Sequence, residues 1–134
     1  MIVCRRRGDY RRSFKLSAAF NVSQHDRVPL ELFRTRSAAA RCDGVATTGW
    51  YWEVNHLGDL AGRVVPFFDR FPVLGEKAQD YRLWREAVML LSADVVSDRD
   101  YRQILALRER MNRGGKRRYR MDGILRDYTT SLAP

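Results

Sequence analysis

Lys15, Ser17, Ala19 and Asn21 alternate with Leu16, Ala18, Phe20 and Val22. A period of two places the first set on one face of a strand and the apolar set on the other. The first set is short, polar and partly cationic, which suits hydrogen bonding to the edges of bases: Lys and Arg fit guanine, Asn fits adenine. Val3, Arg5 and Arg7 alternate in the preceding segment. A second basic group, Lys116, Arg117, Arg118 and Arg120, follows Gly114 and Gly115. It suits phosphates better than base edges, and it equally suits a frayed basic tail. The commoner fate of a polar strand face is plain solvation, so spacing alone leaves both readings open.

Metal and redox chemistry find little support. His25 and His56 have no carboxylate or thiol at ligand spacing and read as surface residues. Cys4 and Cys42 match no zinc or redox spacing and read as reduced thiols of a cytoplasmic protein. No apolar run approaches the roughly 20 residues of a membrane span. The start, Met-Ile-Val-Cys-Arg-Arg-Arg, puts apolar residues before the charges, the reverse of a secretory signal. The chain has 134 residues, 45% of them hydrophobic, enough for one domain with one core. Lys plus Arg is 25 against 16 Asp plus Glu, a formal charge of +9, and the only lysines are Lys15, Lys77 and Lys116. An Arg-rich basic domain fits a nucleic-acid partner. Arg-favouring codon usage gives the same composition.

The elements that must position these residues follow from pattern. Ile2–Arg7 reads as a strand ending in a turn at Gly8-Asp9-Tyr10, and Ser13–Val22 as a second strand. Ser23, with Asp26 three residues on, reads as a helix cap for Gln24–Arg34, which Pro29 should kink or shorten. Ala38–Cys42 reads as a short strand, Asp43-Gly44 as a turn, and Gly49–Val54 as a strand. Asn55 caps a helix with Leu57, Leu60, Ala61, Val64, Val65 and Phe68 on one face, its end bracketed by Pro66 and Pro72. A helix over Glu76–Leu91 should bury Tyr81, Trp84, Val88 and Leu91. Ser97 and Asp100 form a capping box for a helix to Asn112, stopped by Gly114-Gly115. Met121–Tyr128 forms a last short helix. The order predicts an α+β fold, with an antiparallel sheet and helices on one face. Trp50, Trp52, Phe67, Phe68 and Trp84 read as core.

Five stretches, in order, resemble the LAGLIDADG homing endonucleases. Phe20-Asn-Val-Ser-Gln-His-Asp-Arg27 resembles that family's second strand running into a helix start. Trp50-Tyr-Trp-Glu-Val-Asn-His-Leu-Gly-Asp-Leu60 resembles its fourth strand and next helix. Val65-Pro-Phe-Phe-Asp-Arg-Phe-Pro-Val-Leu74, Lys77-Ala-Gln-Asp-Tyr-Arg-Leu-Trp84 and Met111-Asn-Arg-Gly-Gly-Lys-Arg-Arg-Tyr119 resemble three later family segments. The resemblance spans residues 1–126, with 127–134 as a short tail. It departs from the family in the shorter, Ala-rich region 34–47 and in the helix bearing the acidic namesake motif, which has no counterpart before the first strand.

The resemblance implies a half-saddle of four antiparallel strands with helices packed on one face and the other face in the major groove of double-stranded DNA. Phe14 or Leu16, Phe20, Val64, Phe68, Trp84 and Val88 are then expected in one core. It implies Arg5, Arg7, Lys15, Ser17, Asn21 and Arg41 as DNA contacts, with Lys116, Arg117 and Arg118 on phosphates. The implied chemistry is Mg²⁺-dependent, site-specific phosphodiester hydrolysis in an intron- or intein-associated protein. Gln24 matches the family's water-positioning glutamine, and Lys77 falls within a residue or two of its catalytic lysine. Ordinary first-turn positions explain both residues as well. The metal-binding acid has no match, which predicts binding without cleavage, and a homodimer only with the motif helix in place. A non-cleaving DNA-binding remnant or transcription regulator is the neighbouring reading. A basic α+β RNA-binding protein is the distant one, and it lacks the aromatic or GXXG motifs of such modules.

Overall fold

Ala18 and Ala19 interrupt what alternation marks as a single strand. In the computed structural model, which describes residues 2–5, 14–37, 42–46, 49–117 and 119–132, β1 (Ile2–Arg5) and β2 (Phe14–Ser17) form one antiparallel pair. Arg5 stands opposite Phe14 and Ile2 opposite Ser17. β3 (Phe20–Gln24), β4 (Cys42–Ala46) and β5 (Gly49–Val54) form a second antiparallel sheet in the order β3-β5-β4. The architecture is the expected α+β with antiparallel strands, but the second expected strand is divided between two sheets. The chain likewise divides into two compact units, Met1–Ser17 with Leu74–Pro134, and Ala18–Val73. The residues expected together in one core are found in both units. Phe14, Leu16, Trp84 and Val88 belong to the first unit, and Phe20, Val64 and Phe68 to the second.

In the unit of Ala18–Val73, β4 takes in Asp43 and Gly44, which sequence marks as a turn. Asp43 pairs with Trp52 and Gly44 with Tyr51. Cross-strand pairing with an aromatic-rich strand outweighs the local turn preference, because strand propensity is largely a matter of what a residue packs beside. The far end of the sheet is drawn tight at Gly49. Its φ is +148°, and a β-carbon there would sit 2.7 Å from the carbonyl oxygen of Gln24. Only glycine combines that dihedral with that approach.

α1 spans Arg27–Ser37. Its cap is Asp26, not Ser23: the Asp26 carboxylate accepts from Val28 N at 3.0 Å, while Ser23 and Gln24 remain in β3. Because α1 starts at Arg27, Pro29 falls in the first turn, where no backbone donor is needed, and the helix is not broken. Residues 57–70 then form one continuous helical stretch: α2 (Leu57–Asp59), a π turn (Leu60–Val64) and α3 (Val65–Arg70). Its cap position is His56 rather than Asn55. In the widened turn Val65 N donates to Leu60 O, five residues back. Pro66 follows at once and has no N–H to donate, so the change of pitch falls where a hydrogen bond is missing anyway. Pro66 therefore lies in the first turn of α3, and the helix ends at Arg70, between Pro66 and Pro72 as expected. Trp52, Val54, Leu60 and Val64 are at most 1% exposed, and each such apolar burial contributes roughly 1.5–3 kcal/mol. Phe20 meets the Trp52 ring at 6.3 Å and the Phe68 ring at 5.3 Å.

In the other unit, α4 (Lys77–Leu91) and α5 (Asp98–Arg110) pack together, followed by a 3-10 turn (Met111–Gly114) and α6 (Met121–Leu132). The buried stripe of α4 is Leu83, Trp84, Ala87 and Val88, rotated from the expected one: Tyr81 and Leu91 are half-buried. The Ser97–Asp100 capping box forms in both directions. Asp100 N donates to Ser97 Oγ at 3.1 Å, and Ser97 N to Asp100 Oδ2 at 3.2 Å. Phe14, Tyr101, Leu105 and Ile124 make one buried cluster, with Leu16, Val96, Tyr119, Met121 and Leu125 packed on it.

Candidate nucleic-acid interface

Register assigns the two faces of the β3-β5 pair. Phe20, Val22 and Gln24 stand opposite Val54, Trp52 and Trp50, while Asn21 and Ser23 stand opposite Glu53 and Tyr51. Trp52 and Val54 are buried, which makes theirs the core face. Asn21 and Ser23 are exposed on the other side. Tyr51 and Glu53 flank them there and are absent from the set expected from sequence, although the alternation of Trp50–Val54 carries the signal. On β2, Phe14 is buried, Lys15 is exposed and Ser17 is half-buried. Lys15, Ser17 and Asn21 thus present polar atoms from strands whose alternate residues are apolar. They fall in two units, Lys15 and Ser17 in one and Asn21 in the other.

Gln24 closes β3 and is exposed, but it has the parity of Phe20 and Val22, not that of Asn21. Its cross-strand neighbour Trp50 is 36% exposed, which removes Trp50 from the expected core. The Arg27 guanidinium lies 4.8 Å from the centroid of the Trp50 ring and holds Glu31 at 2.6 Å. Gln24 therefore sits beside a cation already engaged by a ring and a carboxylate.

Lys77 begins α4 in the other unit and is well exposed. Its Nζ reaches Asp80 Oδ2 at 3.2 Å and Asn112 Oδ1 at 3.4 Å. Asp80 Oδ1 accepts from Asn112 N at 2.8 Å, and Asn112 has a left-handed backbone with φ +51°. The three residues tie the start of α4 to the end of α5. Gln24 and Lys77 lie in different units.

The basic tail separates into two kinds of cation. Lys116 and Arg120 are exposed. Arg117 folds back over the end of α5, donating to the carbonyl oxygens of Arg108 and Met111, the latter at 2.7 Å. This satisfies acceptors that a helix end leaves open and places positive charge at the negative end of the dipole. Arg108 is buried and donates to Tyr119 O at 2.8 Å and to Glu109 Oε1 at 3.3 Å. Burial, and then the charge of Arg117, pushes its pKa down against the opposing pull of Glu109. Arg117 is thus committed to the fold. Lys116, Arg117, Arg120, Glu109 and the two glycines line a cleft of about 430 Å³. Arg7, Arg41 and Arg118, and the side chain of Arg5, lie outside the described residues. Asp9 and its turn do so as well.

Among the described residues no group of three or more His, Cys, Asp and Glu could hold a metal ion. His25 is exposed. His56 Nδ1 lies 3.6 Å from Asp59 Oδ2, so His56 has a carboxylate partner at i+3 where none was expected. Among the same residues no helix is long and apolar enough to cross a membrane.

Neither a protein-family model nor a curated protein matches the sequence. Solved structures match its fold. The I-LtrWI LAGLIDADG homing endonuclease bound to target DNA is similar with a TM-score of 0.74 and 17% identity, over 86% of this chain and 40% of that one. The meganuclease I-SmaMI bound to uncleaveable DNA is similar with a TM-score of 0.71 and 22% identity, over 85% and 40%. The I-SmaMI LAGLIDADG homing endonuclease bound to cleaved DNA matches with a TM-score of 0.71 and 18% identity, over 97% and 43%. The chain spans about two fifths of the length of these relatives. Paired antiparallel strands, polar on one side and carrying helices on the other, are thus assembled here in the fold of the LAGLIDADG homing endonucleases.

Proposed function

We propose that the chain binds double-stranded DNA, with Lys15, Ser17 and Asn21 against base edges in the major groove and Lys116 and Arg120 on phosphates. The observation that carries this reading is the outward parity of Asn21 and Ser23, on the face of the sheet away from the buried Trp52 and Val54. A two-stranded ribbon fits the major groove, and alternate side chains then meet successive base edges. Neighbours of the same fold that were solved with DNA support it. Arg5, Arg7, Arg41 and Arg118 extend the basic set by sequence. Arg117 adds its charge to that set, its fork being occupied by carbonyls.

By resemblance, the activity of such a protein is magnesium-dependent, site-specific cleavage, with Gln24 near the attacking water and Lys77 near the scissile phosphate. Among the described residues, no group of side chains fits the metal. Mg²⁺ is a hard cation that prefers carboxylate oxygens, and neither Gln24 nor Lys77 offers one. No step through magnesium follows from these side chains. We infer that Gln24 and Lys77 do not by themselves support cleavage, which requires a carboxylate that the described residues do not place beside them.

The test is fluorescence anisotropy of a labelled random-sequence duplex across a salt series. Affinity should fall as a power of salt concentration, with a slope of about 0.9 per phosphate contacted. Lys116→Ala and Arg120→Ala should each flatten that slope by about one. Binding indifferent to salt, or none at low salt, overturns the reading.

A further inference from the structure

Phe71, the residue after α3, is 52% exposed, although a phenyl ring gains most by being covered. It is not an isolated surface residue. Its ring lies 5.2 Å from that of Phe67, tilted by 46°. The Arg70 guanidinium lies 5.5 Å from the Phe71 centroid. Arg63, in the π turn, and Arg36, in the last turn of α1, close the cleft with Pro66, around a volume of about 420 Å³. All of these residues belong to the unit Ala18–Val73. Asn21, Ser23 and Gln24 do not line this cleft.

The charge there is unbalanced. Arg63 shares Asp59 at 3.4 Å. Arg36 and Arg70 form no ion pair among the described residues. Three guanidinium groups thus line one cleft with two aromatic rings. Cations alone would draw any polyanion. Rings beside them select a ligand that is planar as well as anionic, because a base presents a π face whatever its identity. A guanidinium fork matches a phosphate in geometry as well as charge. Exposed rings with no cations would instead suit a purely apolar partner, and free cations with no rings would suit an acidic peptide.

We propose that this cleft is a second nucleic-acid site, and that it binds an unpaired nucleotide. The base stacks on Phe71 and Phe67, and the phosphate is held by Arg36 and Arg63. Arg70 lies over Phe71 and shares its face. The site is independent of the strand face assigned to duplex DNA, and neither reading requires the other. The same chemistry is offered by a free nucleotide and by an unpaired residue within a strand.

The experiment titrates the intact chain with three probes: adenosine monophosphate, a labelled oligothymidylate and labelled polyglutamate. Oligothymidylate should bind, and Phe71→Leu, which keeps an apolar side chain but removes the π face, should weaken it about tenfold or more. Phe71→Trp should restore it, and Arg36→Ala should weaken it. The far-ultraviolet circular dichroism and melting temperature should be unchanged in all three variants, which shows that they are folded, and any duplex binding should be unchanged as well. Adenosine monophosphate binding that is equally sensitive to Phe71→Leu makes the free nucleotide the ligand, and oligothymidylate binding without it makes the strand the ligand. The proposal is overturned if neither nucleic-acid probe binds, if Phe71→Leu binds as the wild type does, or if polyglutamate binds as well as oligothymidylate.

Discussion

The Tyr101 hydroxyl donates a hydrogen bond to the backbone carbonyl oxygen of Phe14 at 3.1 Å, across 87 positions of sequence and in the buried cluster of its unit. The bond fastens β2 to α5 at the residue next to Lys15. Removing a donor from a buried acceptor leaves the acceptor unsatisfied, which costs about 1–3 kcal/mol. Tyr101→Phe keeps the ring and deletes the bond. Its unfolding free energy should fall by that amount, as a lower denaturant midpoint with an unchanged slope. A midpoint equal to the wild type would show that the bond contributes nothing.

Gly49→Ala should be worse than its size suggests. The added methyl carbon would meet the Gln24 carbonyl oxygen at 2.7 Å, on a backbone that L residues rarely adopt. The loss should exceed about 1 kcal/mol, the upper end of what a compatible glycine replacement gains. Thermal melts of Gly49→Ala and of Gly62→Ala form the control pair, since a β-carbon at Gly62 meets nothing within 4 Å. Gly62→Ala should match the wild type or exceed it.

The capping box gives the chain an acid-sensitive element. Hydrogen bonds from the Ser97 side chain and then its backbone hold the Asp100 carboxyl below its ordinary value of 3.8. A depressed carboxyl stabilises the fold above the unfolded value, and the benefit is lost as pH falls through the folded one. Asp100→Asn should therefore lower the melting temperature at neutral pH and converge with the wild type in strong acid. Ser97→Ala should cost about 1 kcal/mol at neutral pH, the usual value of a missing helix cap. Parallel melting curves for Asp100→Asn and the wild type from neutral to acid would contradict this.

Base selection and phosphate attraction should separate by residue. Asn21→Ala and Lys15→Ala should change preference at individual base pairs, by about 1–3 kcal/mol wherever a good bidentate hydrogen-bond pair is removed. Lys116→Ala and Arg120→Ala should weaken all duplexes alike. Selection from a randomised library, sequenced for each variant, distinguishes the two. An unaltered consensus for Asn21→Ala and Lys15→Ala would leave their face merely solvated.

With magnesium and a randomised duplex, these 134 residues should leave the DNA whole. Gln24→Ala and Lys77→Ala should then affect binding or stability alone. Of the two, Lys77→Ala should be the less stable, because it removes the Nζ contacts to Asp80 and Asn112, whose own hydrogen bond remains. Magnesium-dependent cuts that disappear on mutating an Asp or Glu of this chain would locate a catalytic acid within it.

Local chemistry is legible in the sequence where a few neighbouring residues decide the outcome. The Ser97–Asp100 box and the stop at Gly114 are of this kind, and so is the outward parity of Lys15 and Asn21. The break at Ala18-Ala19 is not, because Phe14, Leu16, Ala18, Phe20 and Val22 keep their alternation straight through it. A gap that preserves parity leaves no trace in a period of two. β4 departs from expectation because Asp43-Gly44 is good turn chemistry, overruled by Tyr51 and Trp52 on the partner strand. Nothing in the chain's letters tells Arg117 from Lys116. What separates them is the pair of carbonyls at the end of α5, which only the folded helix places within reach. The cleft around Phe71 is hidden for a similar reason, since Arg36 joins Arg63 and Arg70 across more than twenty positions.

The widened turn of Leu60–Val64 links the length of this chain to one of its prolines. The bond from Val65 N to Leu60 O encloses one residue more than an α-helical bond does, so the segment carries one residue in surplus. Deleting Gly62 would remove the surplus without rotating Phe67, Phe68 or Phe71 off their faces. It would also place Pro66 inside a regular helix, with its ring against the carbonyl four residues back, a conflict worth about 3 kcal/mol. Gly62 can therefore be lost cheaply only together with Pro66, and a single-residue deletion and a proline replacement that are each costly or idle alone become compatible as a pair.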